Sequence, residues 1–259
     1  MLNVHMYGPW NSPDPTPVVL AVHGVTGHGA RWRGLADSEV PGARVLAPDL
    51  RGHARSTWDP PWHFEQLVDD LVEVVEHYAR GSATVVGHSL GGALACRLAR
   101  SRPDLVSALL LLDPAQGLDP RMCLTIAEQT VAHFDFSSVE EARQEKKSGA
   151  WAEVPDDVLD TEIAEHLAHR DTGRWEWDVS CAAVTAMWGE LARPVVTPPA
   201  GIPTTVLRAS RALFVTEAFA LSLPDSAELV TVDSDHMVAQ EVPGVVGEHL
   251  RRVLPDHAE

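Results

Sequence analysis

Along the chain, short apolar runs alternate with stretches in which apolar residues recur every three or four positions. The runs Val18 to Val22, Arg44 to Ala47, Thr84 to Val86 and Val106 to Leu112 predict parallel strands buried on both faces. Between them, Phe64, Leu67, Val68, Leu71, Val72, Val75 and Tyr78 recur at helical spacing, and Ala93 to Ala99 predicts a second helix. After Asp113 the rhythm breaks. Acidic helical stretches at Val139 to Lys147 and Asp156 to His169, with no clear strand, predict an inserted helical cap. Alternation resumes with a strand at Thr204 to Leu207, a helix at Leu213 to Leu221, a strand at Glu228 to Val232 and a last helix at Val242 to Val253. Such alternation predicts an α/β fold, with a mostly parallel central sheet covered by helices on both faces. The expected core spans residues 1–114 and 200–259, and the expected cap spans 115–199. Pro194, Pro198, Pro199 and Pro203 cluster where the chain returns to the core, which suits a stiff connection.

Composition narrows the function classes. At 259 residues, 45% hydrophobic and 22% charged, the chain has an ordinary globular make-up, which argues against a disordered or fibrous protein. Twenty basic residues against 37 acidic ones give a net charge of −17, so neither nucleic acid nor an anionic membrane surface is an expected partner. Cys96, Cys123 and Cys181 are odd in number and far apart, without metal-ligand spacing, which fits a reduced compartment. The opening MLNVHMYGPW lacks the basic and apolar regions of a secretory signal. Ala108 to Leu112 is far shorter than the ~20 residues a membrane span needs. A cytoplasmic protein is expected.

The strongest chemical signal is Gly87-His88-Ser89-Leu90-Gly91, a G-x-S-x-G pattern running from a β-branched strand into a helix. A sharp turn there forces Ser89 into strained geometry, exposes its hydroxyl and places it at a helix N-terminus. The free N–H of Leu90 then becomes an oxyanion donor. A chance glycine-rich turn is the bland alternative, and the flanking strand and helix weigh against it. The loop His23-Gly24-Val25-Thr26-Gly27-His28-Gly29 follows the first long strand and can bring a second donor, the Val25 N–H. It lacks both a GK[ST] ending and a GxGxxG pattern, which disfavours nucleotide binding. His23 and His28 have no third ligand nearby in sequence, so structural roles are expected for them and no metal.

A serine hydroxyl needs a base, and thirteen histidines compete. Chain order favours His236, in the loop after the last strand, and it is the expected base. His249 falls within the last helix and His257 in a polar tail, so both are expected at the surface, while His88 is expected to point away from Ser89.

Taken together, His23-Gly24 after one strand, Asp49-Leu50-Arg51-Gly52-His53-Ala54-Arg55-Ser56 after the next, the Gly87-to-Gly91 turn and Asp235-His236 near the end resemble the α/β-hydrolase superfamily, in particular its capped serine esterase and lipase-like members. The second motif is similar to the family's D-x-R-G-x-G-x-S loop, with Ala54 where glycine is usual. The resemblance covers nearly the whole chain and implies an α/β-hydrolase fold and a Ser-acid-His order, and nothing in the sequence suggests a cofactor. In most members the acid follows the strand after the cap, but Thr204 to Leu213 holds no carboxylate, and Glu217 falls inside the following helix. A minority place the acid after the strand that follows the nucleophile helix, where Asp113 stands. Asp113 is therefore favoured over Glu217, although Asp-Pro here also serves as a plain turn.

The chemistry this implies is acyl transfer on a small neutral, apolar ester or lactone. Gly24 and Trp188 are the candidates to touch substrate. Four tryptophans, Trp151, Trp175, Trp177 and Trp188, fall in the expected cap, where they either line a pocket or fix cap to core. A carbon–carbon bond hydrolase or cofactor-free perhydrolase uses a similar site, and a receptor-like binding protein retaining the fold is the alternative from another class.

Overall fold

In the computed structural model, which describes residues 1–13 and 16–255, seven strands form one sheet. The chain runs β1 (Val4–Tyr7), β2 (Val18–Val22), α1 (Arg33–Ser38), β3 (Arg44–Pro48), α2 (Phe64–Tyr78), β4 (Ala83–His88), α3 (Leu90–Ser101) and β5 (Val106–Leu112). Next come α4 (Pro120–Ala132), β6 (Asp135–Phe136), α5 (Val139–Lys147), α6 (Asp156–His166), β7 (Leu167–His169), β8 (Trp175–Trp177) and α7 (Cys181–Leu191). The chain returns to the sheet through β9 (Thr204–Ala209), α8 (Glu217–Ser222), β10 (Ala227–Val232), α9 (Val238–Glu241) and α10 (Pro243–Val253).

The strand order is β1-β3-β2-β4-β5-β9-β10, parallel throughout except for β1 against β3. Alternate side chains explain the two faces. Leu20, Val22, Val85, Leu109, Leu111 and Val206 point into one buried cluster with α2 and α3. Their neighbours Val19, Ala21, Val86, Leu110, Leu112 and Leu207 point into a second with Trp32, Leu35, Val246 and Leu250. All seven strands fall within residues 1–114 and 200–259, and β9 pairs directly with β5.

Between β5 and β9 the structure departs from the expected purely helical pattern. β6, β8 and β7 form a small antiparallel sheet whose strands, two or three residues long, are too short to leave a period in the sequence. The helix expected to reach His169 stops at His166, and residues 167–169 become β7. The helix expected from Leu213 starts at Glu217, where the Thr216 hydroxyl accepts from the Phe219 N–H at 3.2 Å. The expected surface position of His249 is also corrected: it sits on the inner face of α10 with Val246 and Leu250 and is buried. His257 lies outside the described residues. β1 went unpredicted because it is a four-residue edge strand with no apolar run. Among the described residues, no helix is long and apolar enough to cross a membrane.

Candidate active site

Four loops at the carboxyl edge of the parallel strands converge, the usual place for a site in such a sheet. β4 runs into Ser89, which stands in the left-handed region at φ 55° as the residue before α3. The flanking glycines are steric requirements. A side chain on Gly87 would meet the Gly91 carbonyl, and one on Gly91 would meet the Val22 carbonyl. The Ser89 N–H donates to the Leu112 carbonyl at 3.0 Å, tying the turn to the end of β5. Leu90 is the first residue of α3, so its N–H has no partner within the helix.

β5 ends in Asp113, also left-handed at φ 40° and fully buried. Its N–H donates to the Leu207 carbonyl at 2.8 Å, and its Oδ1 accepts from the Ala209 N–H at 3.1 Å. Its Oδ2 lies 2.6 Å from Nδ1 of His236. That contact fixes the tautomer: Nδ1 carries the proton and Nε2 keeps a lone pair. By contrast, Glu217 is exposed at the start of α8. His236 is held further by its N–H donating to Asp235 Oδ1 at 2.7 Å and by its carbonyl accepting from His88 Nε2 at 2.8 Å. Burial, together with His236, holds the pKa of His88 well below its ordinary value, so His88 is a neutral donor to the His236 backbone.

The loop after β2 completes the arrangement. A Cβ on Gly24 would lie 3.1 Å from Ser89 Cβ, 3.2 Å from His88 Nδ1 and 3.5 Å from Ser89 Oγ, so a side chain here would crowd the serine, and the backbone at Gly24 runs directly beside it. The Gly24 carbonyl accepts from His23 Nδ1 at 2.7 Å and from the Gly27 N–H at 3.0 Å. His23 Nε2 accepts from the Leu50 N–H at 2.9 Å, and His53 Nε2 donates to the Val25 carbonyl. Both rings are buried, which lowers their pKa values. In a trans peptide the N–H points opposite to the C=O, so holding the Gly24 carbonyl on one side aims the Val25 N–H to the other.

Sequence reasoning missed Phe214. Its ring lies 4.0 Å from that of His236, in the loop where most relatives are expected to carry the acid. Trp188 stands one ring further out, 6.4 Å from Phe214. In sequence Phe214 falls inside the helix expected from Leu213 to Leu221, which hid it, whereas in the structure α8 starts only at Glu217 and leaves Phe214 in the loop. His28 pairs with Glu162 at 3.0 Å, and among the described residues no group of three or more His, Cys, Asp or Glu is arranged to hold a metal. A pocket of about 440 Å³ opens beside Thr26, with Ile126, Phe134, Phe136, Trp151 and Trp177 among its walls. Trp188 is not part of that lining.

Residues 17–148 match the family model described as alpha/beta hydrolase fold. Lipase LipV of Mycobacterium tuberculosis is 42% identical over 98% of this chain and 97% of its own length. Esterase Rv0045c of the same organism is 29% identical over 92% of the chain and 83% of its own. Among solved structures, an E-2-(acetamidomethylene)succinate hydrolase superposes with a TM-score of 0.82 at 22% identity, over 97% of this chain and 94% of that one.

Proposed function

The chain belongs to the alpha/beta hydrolase family as an esterase- or lipase-type hydrolase, and from that premise we propose that it cleaves carboxylic esters through an acyl-enzyme on Ser89. The observation that carries the reading is the buried 2.6 Å contact between His236 Nδ1 and Asp113 Oδ2, formed at the same sheet edge as the strained Ser89. His236 Nε2 takes the proton of Ser89 as its Oγ attacks the ester carbonyl. The N–H groups of Val25 and Leu90 hold the oxyanion, and Asp113 stabilises the imidazolium. Collapse of the tetrahedral intermediate expels the alcohol, which receives the proton from His236. A water then repeats the sequence, with His236 as base, and releases the acid.

Residues 115–199 act as the cap over this edge. β8 leads into Asp178, Val179 and Ser180, which bond back to the loop after β3. The Ala54 N–H donates to the Asp178 carbonyl at 2.7 Å and the Ser180 N–H to the Gly52 carbonyl at 2.8 Å. The pocket beside Thr26, one residue past the proposed oxyanion donor, is the site we assign to the acyl group of a neutral, apolar ester or lactone, with aromatic walls broken by Glu145 and Lys146.

A p-nitrophenyl alkylphosphonate tests the reading directly. One equivalent should abolish hydrolysis of p-nitrophenyl butyrate, and peptide mass spectrometry should find the adduct on Ser89. An adduct elsewhere, or full labelling with turnover intact, would overturn the assignment. The acyl pocket carries its own prediction. Ile126→Trp narrows the pocket, and kcat/KM for the octanoate ester should fall at least about tenfold relative to the acetate ester. An unchanged ratio would put the acyl group elsewhere.

A further inference from the structure

One buried charge cluster joins the cap to the loop that carries the proposed oxyanion donor. Its centre is Glu162 on α6, which is only 3% exposed. Glu162 Oε2 accepts from His28 Nε2 and from Arg31 Nε, each at 3.0 Å. Oε1 accepts from Arg31 Nη2 at 2.5 Å and from Lys146 Nζ at 2.8 Å. Burial works against the Glu162 charge, but Arg31, Lys146 and His28 outweigh it and hold its carboxyl well below the ordinary range. Aromatic faces take up the rest of the cationic surface. Lys146 lies 4.5 Å from the Trp151 ring and 4.0 Å from that of Trp177, and Arg31 lies 5.0 Å from Trp151.

Lys146 and Glu162 belong to the cap, whereas His28 and Arg31 follow β2. A buried ionic cluster of this kind is a weak source of stability, because desolvation offsets much of the attraction. Its geometry has another use. Arg31 Nη2, besides pairing with Glu162, donates to the Thr26 carbonyl at 3.1 Å. The N–H of the same peptide belongs to Gly27 and donates to the Gly24 carbonyl at 3.0 Å. The N–H of that next peptide is the one on Val25. Two trans peptide planes thus stand in series, their dipoles aligned, between the guanidinium and the oxyanion position.

We propose that Arg31 and Glu162 are positioning residues for the oxyanion hole: through Arg31 and these two peptide planes, helix α6 of the cap sets the aim of the Val25 N–H. Seating the cap and completing the oxyanion hole are then one event. The proposal rests on Val25 being the oxyanion donor.

Arg31→Met is the informative variant, because it leaves Glu162 paired with Lys146. Arg33→Met is its control: Arg33 also ties the start of α1 to α6, through Glu165 at 2.6 Å, yet has no bond to the loop. Steady-state kinetics on p-nitrophenyl butyrate should show kcat of Arg31→Met down about tenfold or more with KM within about twofold. Its affinity for a trifluoromethyl ketone, which forms an oxyanion on the serine, should fall by a similar factor, and that for the matching methyl ketone should not. Amide exchange by mass spectrometry should be faster over residues 23–29. Arg33→Met should leave all five readouts near wild type. If Arg31→Met does not fold, Arg31→Lys carries the test, since one ammonium cannot span Glu162 and Thr26 as the guanidinium does.

An unchanged kcat, a rise in KM alone, or equal losses in both methionine variants would overturn the proposal. Failure of Ser89 to take the phosphonate would instead remove the function proposed above. Exchange over residues 23–29 still decides the coupling in that case, and rates equal to wild type would refute it.

Discussion

Ser89→Ala is expected to lower kcat for p-nitrophenyl esters by about 10⁴- to 10⁶-fold while leaving the fold and the thermal midpoint near wild type. The size follows from what the proposed mechanism would lose: the attacking atom, and with it the two-step route through an acyl-enzyme. What remains is whatever the oxyanion donors and substrate binding give to attack by water. Stability should survive, because the elbow is held by backbone bonds that alanine retains, from the Ser89 N–H to the Leu112 carbonyl and from the Gly92 and Ala115 N–H groups to the Ser89 carbonyl. Circular dichroism beside the kinetics would make the check. A loss below about tenfold would assign the chemistry to another group.

Asp113→Asn should cost about 10⁴-fold in kcat, with Glu217→Gln within about twofold of wild type. The direction can be derived from the two oxygens of Asp113. Oδ1 is committed to the Ala209 N–H, so in the asparagine variant the carbonyl oxygen stays there and the amide NH₂ takes the place of Oδ2. Facing a donor, His236 Nδ1 must become an acceptor, its proton moves to Nε2, and the lone pair that the proposed mechanism uses as the base is gone. The geometry would be kept and the tautomer inverted. Raising the pH should not rescue this variant, because the neutral ring already carries its proton on the wrong nitrogen. A crippled Glu217→Gln beside a mild Asp113→Asn would reverse the assignment of the acid.

The parts of the molecule legible in the sequence are those governed by local rules. The apolar runs give β2 to β5 and β9, because strands buried on both faces tolerate little else. The glycines around Ser89 can be read directly because each prevents a clash within a few residues of itself or with the neighbouring strand. Asp113 was half legible: the empty stretch from Thr204 to Leu213 pointed away from the usual acid, but only the fold brings Asp113 and His236, 123 positions apart, within 2.6 Å. Phe214 and the Glu162 cluster were not legible at all. Arg31 and Glu162 are 131 positions apart, and a lone arginine or glutamate in sequence looks like any solvated charge. The small sheet of β6 to β8 escaped for a different reason, since strands of two or three residues are specified by their partners and not by their own periodicity.

The position of Asp113 has a consequence for how such a chain can change over time. Residues His88 and Leu112 are partners across β4 and β5, so Ser89 and Asp113, the proposed nucleophile and acid, each follow directly on a rung of the same ladder. The loop after β9 carries neither, and within it Leu213 stands 86% exposed. Selection can therefore rewrite that loop's outer positions, or lengthen it there, without passing through an inactive intermediate. New substrate preferences can be tried at the rim while the proposed proton relay beneath is inherited intact.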